Sequence, residues 1–224
     1  ASRKNSTYEV RSTYWLWRSL QNIDSKRAEE VGKNFYTKFP LTYYGLRARF
    51  EIDGEGIEWL TRQTNSNLNL SLNLTNVEFV AWQKAKLLIE AGWFEEAQAE
   101  LQMLPPVYLT TSKLVMAKIW NFAFDHHKAI SVLNEVWDMD PSLLNMTTLK
   151  LAYPEEYKVF VDKYSQKNNL NKEVLWALIR QESSFRKDAV SSAGALGLAQ
   201  LMPPTVREVS QRIRIAPLDL PSEA

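Results

Sequence analysis

The chain has no cysteine and only seven glycines in 224 residues. Without cysteine no disulfide or thiolate metal site can form, and its absence fits an oxidising compartment. Glycine this sparse, with apolar residues recurring at spacings of three and four, argues for helices rather than strand hairpins. No apolar run is long enough to span a bilayer. A charge of one sign is lacking too. The 27 basic residues stand against 26 acidic ones, so no net field marks nucleic acid or a membrane surface as partner. The two histidines, His126 and His127, have no third ligand at useful spacing and read as an exposed pair at a helical turn, so no metal and no cofactor is expected. Ala1 does not begin a signal peptide, so an exported protein requires a leader that was removed or left out. What is abundant is material for a core: 45% hydrophobic residues, with eight Trp, nine Tyr and nine Phe. That is enough for one large domain or two modest ones.

From the N-terminus, Thr13 to Phe39 has helical spacing. Tyr14, Trp15, Trp17 and Leu20, then Ala28, Val31, Phe35 and Tyr36, form its apolar face, and Phe39-Pro40 stops it. Gly54 and Gly56 predict a turn before a short helix over 57–62. From Asn65 to Asn76, leucines 68, 70, 72 and 74 alternate with Asn and Ser. Strict period two is a strand signal, but Asn is a poor strand former, and an extended linker is expected. Asn69 and Asn73 head glycosylation-type triplets.

Asn76 to Pro141 carries an internal repeat thirty-two residues long. It pairs Ala85 with Ala117, Leu88 with Trp120, Ala97 with Ala129, Leu101 with Leu133, and Leu104 with Val136. Such a period predicts stacked helical hairpins, in which small residues let two helices close and larger ones fill the next layer. Pro105-Pro106 and Asp140-Pro141 mark the breaks. The segment A-K-L-L-I-E-A-G-W-F-E-E-A is similar to tetratricopeptide-type units. After Tyr153-Pro154, a second amphipathic helix is expected to bury Tyr157, Phe160, Val161 and Tyr164.

The stretch from Asn171 to Pro203 carries the chemistry. Val174, Leu175, Leu178 and Ile179 form an apolar stripe, and Glu182 falls on it, three after Ile179 and four after Leu178. Asn171 suits the N-cap and Glu173 the first turn, which puts Glu182 near the helix C-terminus. Apolar surroundings and the negative end of the helix dipole would both favour its protonated form, as a general acid needs. A Glu ending such a stripe also suits a cap or a snorkelling side chain. Asp188 is the nearest second carboxylate and reads as a loop or cap residue.

The run Glu182-Ser-Ser-Phe, followed by Ser191-Ser-Ala-Gly-Ala-Leu-Gly-Leu-Ala-Gln-Leu-Met-Pro203, resembles the first two motifs of the soluble lytic transglycosylases. These bacterial enzymes cleave peptidoglycan with a lysozyme-like domain. Y-W-L-W-R-S-L and F-P-L-T-Y-Y-G-L-R-A in the first fifty residues are similar to helical pairs that precede that domain in larger members. The resemblance implies an all-α chain, with a superhelix of helical hairpins over 1–151 and the N-terminal part of a lysozyme-like domain over 152–224. It implies Glu182 as catalytic acid and then base, and Ser191, Gln200 and Met202 as residues shaping the sugar cleft. Ser183, Gly194 and Gly197 match small structural positions of the motifs, while ordinary packing is the alternative for Gln200 and Met202.

The activity implied is non-hydrolytic cleavage of the MurNAc–GlcNAc bond to a 1,6-anhydro product, in the periplasm or cell envelope. The partners implied are peptidoglycan strands, with cell-wall enzymes or secretion proteins on the helical region. The family's third motif, an Ala-Tyr-Asn-Ala-Gly type loop whose Tyr faces the acid, has no match after Met202. Ala199 and Pro204 are smaller departures. The chain is therefore expected to be truncated within the catalytic domain and weakly active or inactive as it stands. The competing class is a non-catalytic helical-repeat scaffold that docks on partners or glycan.

Overall fold

The computed structural model describes residues 3–62 and 76–214. The alternating leucine stretch with Asn69 and Asn73, and the tail after Arg214, lie outside the described residues. The described chain is all-α: eleven α-helices, two short 3-10 turns and, in place of a sheet, two isolated bridges. It forms two compact units, Ala1–Thr64 and Asn65–Ala224.

The first unit holds α1 (Arg3–Leu20), α2 (Ser25–Lys38), α3 (Tyr43–Asp53) and a 3-10 turn at Glu58–Arg62. The helical spacing over Thr13 to Phe39 is thus shared between two helices. Asp24 breaks it by capping α2, its carboxylate accepting from the Arg27 N–H at 3.0 Å. The short turn before Arg62 is where the sequence put it, after Gly54 closes α3 in the left-handed region. Tyr14, Trp17, Leu20, Ala28, Phe35 and Tyr36 build the core as expected, whereas Trp15 stays exposed. Thr42 caps α3 by accepting from the Gly45 N–H, and the Phe39 carbonyl folds back over the same turn. A Cβ on Gly45 would run into that carbonyl oxygen.

The second unit opens with the two predicted hairpins, α4 (Asn76–Glu90) with α5 (Phe94–Gln102), and α6 (Thr110–Phe122) with α7 (His126–Met139). The repeat explains their packing. Ala85, Ala97, Ala117 and Ala129 are fully buried where helices close, and Leu101, Leu133 and Val136 fill the space between layers. Pro105 and Pro106 lie between the hairpins, and Pro141 opens a 3-10 turn at Pro141–Leu143. Next come α8 (Met146–Ala152), α9 (Lys158–Asn168), α10 (Lys172–Ser183) and α11 (Pro203–Ile213). The boundary expected near Ala152 falls inside this unit, where α7 packs on α8 and α9 on α10. The inward face of α9 is narrower than its spacing predicts. Val161 and Ser165 are buried, Tyr157 is half-buried, and Phe160 and Tyr164 are exposed.

The expectation of an exposed histidine pair fails for one of the two. His127 is exposed, but His126, at the first turn of α7, is only 4% exposed. Its Nδ1 lies 2.7 Å from Asn121 Oδ1 and its ring meets Phe124 and Phe185 edge-on. Its Nε2 has no hydrogen-bond partner and sits 3.6 Å from Glu156 Oε1. Burial pushes the His126 pKa down to about 4, against a smaller upward pull from Asp125, and burial raises that of Glu156.

Two outcomes follow from this packing. Gly45→Ala should cost the first unit about 3 kcal/mol, because an added methyl meets backbone that cannot swing aside; denaturant unfolding measures it. For His126, the unfolded imidazole takes a proton near pH 6.5 while the folded one resists until about 4. Stability linked to this group is therefore whole above pH 6.5 and is lost as pH falls to about 4, by about 3 kcal/mol in all. Glu156, raised above its ordinary value, acts in the opposite sense, so the clean readout is the wild-type minus His126→Phe difference. It should be flat above pH 6.5 and turn against the wild type below.

Candidate active site

Helix α10 starts as the sequence dictates. Asn171 Oδ1 accepts from the N–H groups of Glu173 (2.8 Å) and Val174 (3.2 Å). Its facing is set by Trp176 rather than by the leucine stripe. The indole of Trp176 is buried and donates to the Glu156 carbonyl at 2.8 Å. One turn on, Arg180 Nε donates to the Ala152 carbonyl at 2.8 Å, and its guanidinium lies 4.1 Å from the Tyr153 ring centre. Ser183, three further, is buried with its hydroxyl on the Ile179 carbonyl. Positions 176, 180 and 183 form one helical face, and that face is the inward one.

The stripe expected inside is consequently turned outward. Val174 is 63% and Leu178 44% exposed, Leu175 and Ile179 are half-buried, and Glu182 is exposed beside them. Glu182 does point where Leu178 points, but among the described residues no apolar wall surrounds it. Two clefts lie nearby in the same unit. One of about 760 Å³ is lined by Trp93, Phe94, Phe124, Tyr157, Phe185 and Lys187, among others. Another of about 210 Å³ lies between Tyr153, Pro154, Glu173, Trp176 and Phe185. Glu182 lines neither.

The chain leaves α10 through two consecutive non-glycine residues in the left-handed region, Ser184 (φ 49°) and Phe185 (φ 68°). Such positions persist only where the surroundings over-determine them. Here the buried Phe185 ring is the wedge, and the Tyr157 hydroxyl donates to the Phe185 carbonyl at 3.2 Å. Nothing in the sequence spacing flags Tyr157, Trp176, Arg180 or Phe185 as positioning groups. The available signal was Trp176, the bulkiest side chain of α10 and off the leucine stripe. Asp188 is exposed, 3.9 Å from Arg186.

The glycine-punctuated stretch folds into a small knot. Val190 bridges Leu196, and Leu196 bridges Leu201 through paired backbone hydrogen bonds of 3.0 and 3.1 Å. Ser191 closes the first turn, its hydroxyl accepting from the Ala195 N–H at 2.9 Å. Gly194 (φ +83°) and Gly197 (φ +70°) occupy left-handed positions that a side chain would strain. Gln200, itself left-handed at φ 48°, donates its side-chain amide to the carbonyls of Ala189 (3.1 Å) and Gly197 (2.9 Å). Met202 is exposed at the N-cap of α11, before Pro203 opens the helix. Among the described residues no cluster of His, Cys, Asp or Glu could hold a metal ion, and no helix is long and apolar enough to cross a membrane.

Residues 160–222 match the family model described as the transglycosylase SLT domain. The fold resembles the lytic transglycosylase Slt from Pseudomonas aeruginosa, solved as an inactive mutant, with TM-score 0.67 and 22% identity over 95% of this chain and 33% of that one. A 70-kDa soluble lytic transglycosylase solved with bulgecin A gives TM-score 0.70 and 19% identity over 98% of this chain and 33% of that one. The 70-kDa enzyme from Escherichia coli gives TM-score 0.65 and 18% identity over 97% and 33%. The chain spans about a third of the length of the solved structures it matches. Residues 160–222 are thus similar to a transglycosylase SLT domain, and the chain shares the all-α fold of the soluble lytic transglycosylases.

Proposed function

We propose that residues 152–224 act as part of a peptidoglycan lytic transglycosylase with Glu182 as its acid and base, and that 1–151 form the preceding helical region. One observation carries this reading: the two motifs stand in order within the matched domain, one starting at Glu182 in the last turn of α10 and the other forming the knot from Val190 to Leu201. Glu182 protonates the oxygen linking N-acetylmuramic acid to N-acetylglucosamine, and that bond breaks. The neighbouring acetamido group stabilises the positive charge growing on the sugar carbon. Glu182, now ionised, takes the proton of the C6 hydroxyl, whose oxygen closes the 1,6-anhydro ring in place of water. One carboxylate thus does the work that most glycosidases divide between two.

Such an acid must be shielded from water while it works. Because Glu182 and the stripe of Val174 and Leu178 are exposed, the glycan strand laid along that stripe supplies the shielding. Ser191 and Gln200 act by holding the knot's shape through the bonds they make within it, and Met202 offers an exposed apolar contact to sugar. The substrate places the protein in the periplasm or cell envelope, with the helical hairpins free to take cell-wall partners.

A second reading, a non-catalytic scaffold that docks on glycan, is favoured by the exposure of Glu182 and its absence from both clefts. One assay separates the two. Purified sacculi are digested and the released muropeptides weighed by mass spectrometry, with Glu182→Gln alongside. The products should end in 1,6-anhydro groups and fall about a hundredfold or more in the variant. Reducing ends would mean hydrolysis, and binding without release, equal in both proteins, would establish the scaffold.

A further inference from the structure

The loop that follows Glu182 is strained at its first two residues, and the side chain that wedges it is Phe185. What Phe185 rests on lies far away in sequence. The ring of His126, in the first turn of α7, stands edge-on to it at 5.8 Å between centroids and 73° between planes. Asn121, the next-to-last residue of α6, fixes that ring through Nδ1 at 2.7 Å. Phe124 also stands edge-on to the imidazole, at 5.7 Å between centroids. The imidazole, a ring of three carbons and two nitrogens, is not placed here for its polarity alone, since its Nε2 is buried without a hydrogen bond. What the site uses is the imidazole ring in T-shaped contact with Phe185, held in one orientation by Asn121.

We propose that His126 is a positioning residue for the loop after Glu182: held by Asn121, it is the seat for Phe185, so the hairpin α6–α7 sets how α10 ends. The mechanism is mechanical. Two left-handed non-glycine residues revert to easier backbone regions unless something holds them. Phe185 holds them because it is packed, and its packing needs the His126 ring. If the seat goes, Ser184 and Phe185 relax, the Ser184 N–H to Arg180 carbonyl bond that closes α10 opens, and Glu182, two residues earlier, loses its fixed direction. The catalytic meaning of that direction rests on the function proposed above, but the positioning itself does not.

Hydrogen exchange on the full chain tests the positioning without any glycan. The amides of Ser184, Arg186 and Ala189 donate to the carbonyls of Arg180, Ser183 and Arg186 and report the loop directly. His126→Ala should raise their exchange about tenfold or more while amides of α4 and α5 keep theirs. His126→Phe, which keeps an aromatic edge, should restore most of the protection. Asn121→Ala, which frees the ring without removing it, should give a smaller loss and serves if His126→Ala does not fold. Unchanged exchange in these loop amides, or a rise shared equally by α6 and α7, overturns the proposal. In sacculus digestion the same order, wild type and Phe above Ala, supports the catalytic consequence. If no variant cleaves while the exchange order holds, the function proposed above fails and the positioning stands.

Discussion

A buried indole with one hydrogen to place decides how the candidate site is presented. Trp176 must be inside for its size and must donate for its polarity, and the Glu156 carbonyl meets both needs at 2.8 Å. Once that bond is made, the rotation of α10 is fixed. Arg180 then reaches the Ala152 carbonyl and Ser183 turns inward. Everything on the opposite side, Val174, Leu178 and Glu182, is left facing out. The segment Ala152–Tyr157 is therefore the bearing on which α10 sits, since it supplies both carbonyls and the Tyr157 hydroxyl that holds Phe185.

Much of the fold could be read from residue spacing. The thirty-two-residue repeat located both hairpins because small residues recur where helices touch, and contact between helices tolerates little else. The capping of α10 by Asn171 was legible for the same kind of reason: a side chain of one type at one position satisfies donors that nothing else reaches. The break at Asp24 was missed because apolar spacing on its two sides stays in phase.

The facing of α9 and α10 was not legible. Spacing ranks faces by the number of apolar residues, while the structure ranks them by what each side chain can bury and bond. One tryptophan with a partner outweighs four smaller residues without one. The burial of His126 was hidden for a related reason, because its partners, Asn121 and Phe185, lie in two separate elements. Apart from Glu182, which spacing also singles out, the candidate site residues come from the motif. Their surroundings show what the motif does: Ser191, Gly194, Gly197 and Gln200 tie a short stretch of backbone into a knot whose shape depends on each of them.

The orientation of α10 is the claim on which the rest turns, and the absence of native cysteine makes it directly measurable. Single cysteines are introduced at Val174, Leu178, Glu182 and Ser183, with Trp176 kept, and their reaction with a maleimide is followed under native conditions. Thiols at 174, 178 and 182 should react at rates near those of the unfolded protein, and that at 183 should be protected until it unfolds. Protection at 178 and 182 with free reaction at 183 would contradict the account.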